Sequence, residues 1–321
     1  MRQKRKVVVV GAGDVGATFA YALMQEGVAE EIAIVDANTG KAAGQAMDLA
    51  HGLPFVPPVR VYAGTAADYA DADVVVITAG ARQQPDESRL RLVQRNMAIV
   101  GSIMDELAAS KSNAVAVVVS NPVDVLTYAA LERTGWPRER IIGSGTVLDT
   151  ARFRYLLSEH CGVDARNIHG YILGEHGDSE FAAWSLTHVA GMPISDYCAT
   201  CNKDRDAETH REAIVEQVRR SAYHIIGYKG STYYAIGLAL VRIVGAILRD
   251  ENSVLTVSCR LEGEYGLRDV CLSVPCVLSK GGIGRIVVSR LTPREQAALE
   301  RSASILKESF RQARGSAGSA E

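Results

Sequence analysis

An α/β chain is predicted, with a doubly wound parallel sheet in residues 1–143 and a mixed α+β half in residues 144–321. Strand-sized apolar runs alternate with helical stretches through the first half, and a Gly11-x-Gly13-x-x-Gly16 turn follows the first run directly. Near-continuous apolar strands separated by helices imply a parallel sheet covered on both faces. Beyond about Gly143 the texture changes to a long helical stretch and then to alternating runs, which suit antiparallel strands.

In order, the pattern predicts a strand at Lys6–Val10, a helix at Gly16–Gln25, a strand at Glu31–Asp36 and a helix at Gly40–Ala50. A strand at Val74–Thr78, a helix over Arg89–Ser110 and a strand at Ala114–Ser120 continue it. The second half opens with a helix at Val147–Glu159, and Ser253–Leu261 and Val270–Leu278 alternate as antiparallel strands. A charged amphipathic helix spans Gln296–Arg314, and the small-residue tail Gly315–Glu321 is expected to fray.

With 321 residues and 47% hydrophobic composition the chain can bury a large core, enough for two domains. A net charge of −2 without a long basic block argues against nucleic acid or an anionic membrane as partner, leaving small molecules and copies of itself. Val7–Val10 and Ile32–Val35 are far short of the roughly 20 residues of a membrane span. The basic opening Met1-Arg2-Gln3-Lys4-Arg5-Lys6 runs straight into the first strand, so it does not read as a signal peptide, and cytoplasmic residence is the expectation. Six scattered cysteines make no disulfide framework, and Cys198-Ala199-Thr200-Cys201 reads as incidental thiols because no second pair accompanies it.

The glycine turn sits between a strand and a helix, the context of a Rossmann dinucleotide cradle. Gly11 permits the tight turn, Gly13 lets the backbone approach a pyrophosphate, and Gly16 lets helix and strand pack closely. The free N–H groups of the helix N-terminus suit the phosphates. Asp36, about 20 residues on, ends the second strand, where a carboxylate accepts hydrogen bonds from ribose hydroxyls and repels a 2′-phosphate. NAD is therefore expected over NADP, while flavin stays open because the same turn serves it.

In Gly174-Glu175-His176-Gly177-Asp178 one histidine sits between glycines, a candidate proton carrier. Asp149 and Arg152 are spaced i, i+3 on a predicted helix, so both can project from one face; a plain surface ion pair is the alternative. Arg89 closes the polar stretch Gln83-Gln84-Pro85-Asp86-Glu87-Ser88, and as a loop arginine it is also consistent with simple solvation.

His176, Asp149, Arg152, Arg89 and the strand end Ser120-Asn121-Pro122 together closely resemble the L-lactate and malate dehydrogenase family. The resemblance runs from the glycine turn through Lys229-Gly230-Ser231-Thr232-Tyr233-Tyr234, nearly the whole chain. It implies reversible NADH-dependent reduction of a 2-oxo acid, with His176 giving and retaking the proton and Asp149 holding its other ring nitrogen. It implies that Arg152 grips the substrate carboxylate in a bidentate pair and that Arg89, on a closing loop, stabilises oxyanion charge. Asn121 matches a position near the reacting oxygen and nicotinamide ribose, Thr232 a pocket position and Ile236 a nicotinamide-packing position. Val15, Ala79 and Gly80 complete the cofactor contacts so implied.

Family members acting on malate carry an arginine on the loop where this chain has Gln83, six residues before Arg89. An unpaired second carboxylate under a closed loop would cost several kcal/mol as an order of magnitude, so pyruvate is expected as the substrate, in fermentative glycolysis. Ala46-Met47-Asp48-Leu49-x-His51-Gly52-Leu53-Pro54-Phe55 also resembles the lactate branch. Malate dehydrogenation, a hydroxyisocaproate-type activity and a non-catalytic NAD-sensing protein are the alternatives.

Arg152 and Arg154 lie about 200° apart around a helix axis, so they point to nearly opposite faces. In bacterial lactate dehydrogenases that the chain resembles, arginine and histidine at the positions of Arg154 and His169 bind fructose 1,6-bisphosphate at a subunit interface. A homotetramer activated by that effector is the implied assembly.

Overall fold

The computed structural model describes residues 5–81, 87–200 and 207–315. Six parallel strands come first: β1 (Lys6–Val10), β2 (Glu31–Val35), β3 (Arg60–Ala63), β4 (Val74–Ile77), β5 (Val115–Val118) and β6 (Ile141–Gly143). Between them run α1 (Asp14–Glu26), α2 (Thr39–His51), α3 (Arg89–Ala109) and α4 (Val123–Thr134), with α5 (Val147–Cys161) after β6. Five two-residue strands follow: β7 (Ile168–His169), β8 (Ile172–Leu173), β9 (Phe181–Ala182), β10 (His188–Val189) and β11 (Met192–Pro193). Then come α6 (Ile194–Thr200), α7 (Ala207–Lys229), α8 (Tyr234–Leu248), β12 (Ser253–Glu262), β13 (Arg268–Ser279), β14 (Gly282–Ile286) and α9 (Pro293–Gly315).

The strand order β3-β2-β1-β4-β5-β6 reverses direction between β1 and β4, and the crevice outside the carboxyl ends of those strands is where such sheets bind ligands. Side chains alternate across the pleat, so each strand serves two cores. Val7, Val9, Val74 and Val76 pack with Phe19 and Leu23 of α1 and Leu240 and Val244 of α8. Val8, Val10, Val75 and Ile77 pack with Met104 and Leu107 of α3 and Leu126 of α4. Burial on both faces is why these strands read as unbroken apolar runs.

The antiparallel pair expected in the second half forms as β12 against β13. It makes no sheet of its own: Ser258 of β12 pairs antiparallel with Gly143 of β6, extending one nine-stranded sheet. The strands expected through Thr78 and Ser120 stop at Ile77 and Val118. The residues just beyond keep backbone bonds to the neighbouring strand, Thr78 N–H to the Val10 carbonyl at 2.8 Å and Val119 N–H to the Ile77 carbonyl at 2.9 Å, and Thr78 Oγ1 donates to the Val10 and Gly11 carbonyls at 3.1 and 3.0 Å. The tail beyond residue 315 lies outside the described residues, as does Cys201; Cys198 is buried. No helix among the described residues is long and apolar enough to cross a membrane.

Candidate active site

At the carboxyl end of β1 the glycine turn is built from backbone approach. Gly11 has φ +109°, and a Cβ there would lie 2.6 Å from the Ala79 nitrogen at the end of β4. A Cβ on Gly16 would collide with the Gly11 carbonyl oxygen, so α1 is seated against the turn. Gly13 caps α1 without a side-chain hydrogen bond, and nothing lies within 4 Å of where its Cβ would be. That open space beside free helix N–H groups fits a pyrophosphate. Asp36 follows β2 directly; its Oδ2 accepts from Ala12 N–H at 2.7 Å and its Oδ1 from Asn38 N–H at 2.8 Å. The carboxylate thus also pins the turn, and each oxygen keeps a lone pair for a ribose hydroxyl.

Ala79 and Gly80 form the facing wall after β4. Asn96 of α3, only 3% exposed, accepts from Ala81 N–H at 2.8 Å and donates to the Asn121 carbonyl at 2.9 Å. It therefore sets the spacing between the β4 and β5 loop ends, a role that its place in an ordinary helical pattern did not signal. Asn121 is exposed, in a cis peptide with Pro122, and its Oδ1 accepts from Val123 N–H at 3.3 Å.

The second half closes on the cradle through α8. Gly237 packs against Thr18 and Phe19 of α1, where a Cβ would meet Thr18 Cγ2 at 3.0 Å. Ser231 Oγ donates to Asp14 Oδ2 at 3.0 Å, tying the loop that carries Thr232 to the first turn of α1. Ile236 and Val15 are half-buried and pack on the same core.

The reacting groups converge on Asp149, which faces inward from the first turn of α5 and is 2% exposed. Its Oδ2 lies 2.6 Å from His176 Nδ1, and its Oδ1 accepts from Arg152 at 2.7 Å. The spacing that also suited a surface ion pair has become a buried one. Burial disfavours charge on His176, but the charge of Asp149 and its hydrogen bond outweigh that, raising the imidazole to about 9. Asp149 itself, despite burial, is held below the usual carboxylate range by His176 and then by Arg152.

The turn presenting His176 is stapled from two sides. Asp124 of α4, fully buried, accepts the His176 backbone N–H at 2.8 Å, and burial pushes that carboxyl up to about 6. Ser302 of α9 accepts from Glu175 N–H at 3.3 Å and donates to the Ser179 carbonyl at 2.8 Å. Gly174 has φ +94°, and a Cβ there would lie 2.6 Å from Ser302 Oγ. Glu180, at the end of the turn, is 2% exposed and also faces the histidine. Asp124, Glu180 and Ser302 were not singled out in the sequence, which carries no local signal that distinguishes them from exposed polar residues.

Arg89 begins α3, exposed, after the Ser88 cap, and its charge acts on Tyr223 of α7, whose hydroxyl donates to Asp178 at 3.0 Å. Gln83 lies outside the described residues. Arg154 is half-buried, donates to the Gly170 carbonyl at 3.1 Å and lies 5.6 Å from the Tyr171 ring centre, one residue beyond exposed His169.

A dinucleotide cradle and a histidine charged by a buried carboxylate, which also orders an arginine, define an NAD-dependent 2-hydroxy acid dehydrogenase. The chain belongs to the lactate/malate dehydrogenase family: residues 5–143 match its NAD-binding domain and residues 146–315 its α/β C-terminal domain. It is 61% identical to an L-lactate dehydrogenase of Treponema denticola over 96% of this chain and 98% of that one. Against L-lactate dehydrogenase 1 of Clostridium acetobutylicum the identity is 52%, over 97% and 99% of the two chains. Among solved structures it superposes with TM-score 0.94 on a lactate dehydrogenase from a Medee basin deep-sea metagenome library, at 44% identity over 97% and 99% of the chains. The ligand-bound minor L-lactate dehydrogenase of Enterococcus mundtii gives TM-score 0.93 at 43% identity over 96% and 98%.

Proposed function

We propose that this chain interconverts pyruvate and L-lactate as an L-lactate dehydrogenase. The observation that carries the reading is the single carboxylate of Asp149 holding both His176 and Arg152. Two groups bonded to one carboxylate stand close together, so their joint target carries a carbonyl oxygen beside a carboxylate, as a 2-oxo acid does. The relatives' names supply the particular acid.

The turn from Gly11 to Gly16, with Val15, Asp36, Ala79, Gly80, Asn121 and Ile236, would hold NAD. When bound, NADH supplies the hydride for the carbonyl carbon. His176, its Nδ1 held by Asp149, offers Nε2 to the carbonyl oxygen as proton donor and takes the proton back in lactate oxidation. Arg152 retains N–H groups for a bidentate grip on the carboxylate, and Arg89 polarises the carbonyl. Thr232 shapes the pocket. On this reading residues 1–143 chiefly carry the cofactor and 144–321 chiefly the substrate, with Arg89, Gln83 and Ile236 crossing that division, in the cytoplasm.

Specificity constants for pyruvate, oxaloacetate and 2-oxoisocaproate with NADH test the assignment. Pyruvate leads, and Gln83→Arg moves preference toward oxaloacetate by pairing its second carboxylate. A parent enzyme that already prefers oxaloacetate or 2-oxoisocaproate overturns the substrate reading, and absence of turnover on all three favours a non-catalytic NAD sensor.

We further infer a homotetramer in which Arg154 and His169 of paired subunits bind fructose 1,6-bisphosphate. The position of Arg154 on the same helix as Arg152, with its guanidinium on the carbonyl next to His169, supports this. Apparent pyruvate affinity should rise with the bisphosphate, more strongly at acid pH. Superimposable saturation curves at pH 6 and low enzyme concentration, with and without it, would reduce the pair to structural residues.

A further inference from the structure

Glu180 is a buried acid whose side chain does no structural work that explains its burial. It is 2% exposed, and its Oε1 lacks a hydrogen-bond partner. Arg219 of α7 spends its Nη2–H and Nε–H on the Glu180 backbone carbonyl, at 2.6 and 3.2 Å. Yet the Glu180 carboxyl, the Asp149 carboxylate and a His176 ring nitrogen all lie within 4.8 Å of one another. A glutamine would fill the same space without the penalty of a buried charge. What only the acid offers there is a negative charge for the imidazolium, or a second place for its proton.

We propose that Glu180 is a positioning residue that keeps the working proton on His176. This rests on the reading of His176 as the proton carrier. Neutral His176 beside protonated Glu180 holds as many protons as charged His176 beside ionised Glu180, so the two act as a coupled pair rather than separately. Burial, and then repulsion by Asp149, raises the Glu180 carboxyl well above the usual range, whereas charged His176, Arg219 and Arg152 draw it back. Protonation of the imidazole therefore favours ionisation of Glu180, and the new anion in turn stabilises the imidazolium. The other charges bearing on the histidine include Asp149 from α5 and Asp124 from α4, and Glu175 of the same turn bears on Asp124. Asp149 is committed to Nδ1 and Arg152, and Asp124 is bonded to the His176 backbone N–H, which leaves Glu180 as the carboxyl that lies beside the ring without a hydrogen bond to it.

The test is the pH dependence of pyruvate reduction and lactate oxidation by the NAD-loaded protein, for the parent, Glu180→Gln and Glu180→Asp. The amide variant should move both midpoints to lower pH by about one unit, a tenfold weaker hold on the His176 proton. The aspartate variant, which keeps a charge set back by one methylene, should shift the same way by about 0.4 unit. A merely structural glutamate would change rates or thermal stability without moving the midpoint. Midpoints within 0.2 unit of the parent's, or shifted upward, overturn the proposal. Should the amide variant not fold, a parent-like midpoint for Glu180→Asp together with unchanged salt dependence overturns it, and a downward shift supports it. Failure of the parent to show opposite pH limbs in the two directions would instead sink the reading of His176.

Discussion

The backbone N–H of His176 donates to Oδ2 of Asp124 across 52 residues, so a helix of the first half holds the main chain of the proton carrier in the second. Asp124 is fully buried and raised to about 6, above the value near 3.8 of an unfolded aspartate. A carboxyl raised in the folded state contributes stability below its unfolded pKa and loses it as pH rises through the folded one. Asp124→Asn keeps an oxygen for the His176 N–H but carries no charge. Its stability relative to the parent should improve between pH 4 and pH 7 by about 2 kcal/mol. Unfolding in urea at the two pH values measures this, and a pH-independent difference would contradict it.

Asp149 should set the pH range of catalysis. Pyruvate reduction needs charged His176, so the parent rate should hold through neutrality and fall as pH rises through about 9, while lactate oxidation rises over the same interval. Asp149→Asn removes the charge that opposes burial, so both midpoints should drop below the ordinary histidine value. Reduction at pH 7 should fall by about 100-fold or more, the usual contribution of a positioned general acid. Stopped-flow rates from pH 5 to 10 would decide it; an unmoved midpoint assigns the proton to another group.

Arg152→Lys should separate substrate binding from cofactor binding. A lysine cannot offer two parallel N–H groups to a carboxylate and would also leave Asp149 less completely paired. The specificity constant for pyruvate should drop by on the order of 100-fold, mostly through KM, consistent with a lost charge-assisted pair. NADH binding, followed by its fluorescence, should stay within about twofold. Equal losses in both would mean that the variant disturbs α5 rather than the grip.

Asp36→Ser should admit NADPH, because the carboxylate that repels a 2′-phosphate is gone. Asp36 also anchors Ala12 N–H, so NADH affinity should weaken at the same time. The ratio of specificity constants for the two cofactors is the readout, and a parent that already uses both equally would refute the role.

The first strand, the turn from Gly11 to Gly16 and α1 were legible because their signals are local: apolar residues in series, glycines where Cβ atoms would collide, and a helix opening directly after. Asp149 and Arg152 were legible as one helical face, and His176 as an odd histidine among glycines. Gln83 lies outside the described residues.

Alternation predicted β12 and β13 as partners, since each strand's pattern reports the faces it shows. It carried no information about the edge on which the pair docks, which depends on Ser258 meeting Gly143 at β6. That docking closes the second half onto the first and brings α4 beneath the histidine turn. Asp124, Asn96, Glu180 and Ser302 become meaningful only then, because a polar side chain in a helix or turn has the same local pattern whether it faces water or a catalytic group. Its cost and its role depend on desolvation and on the partners that tertiary packing supplies from 15 to 127 residues away.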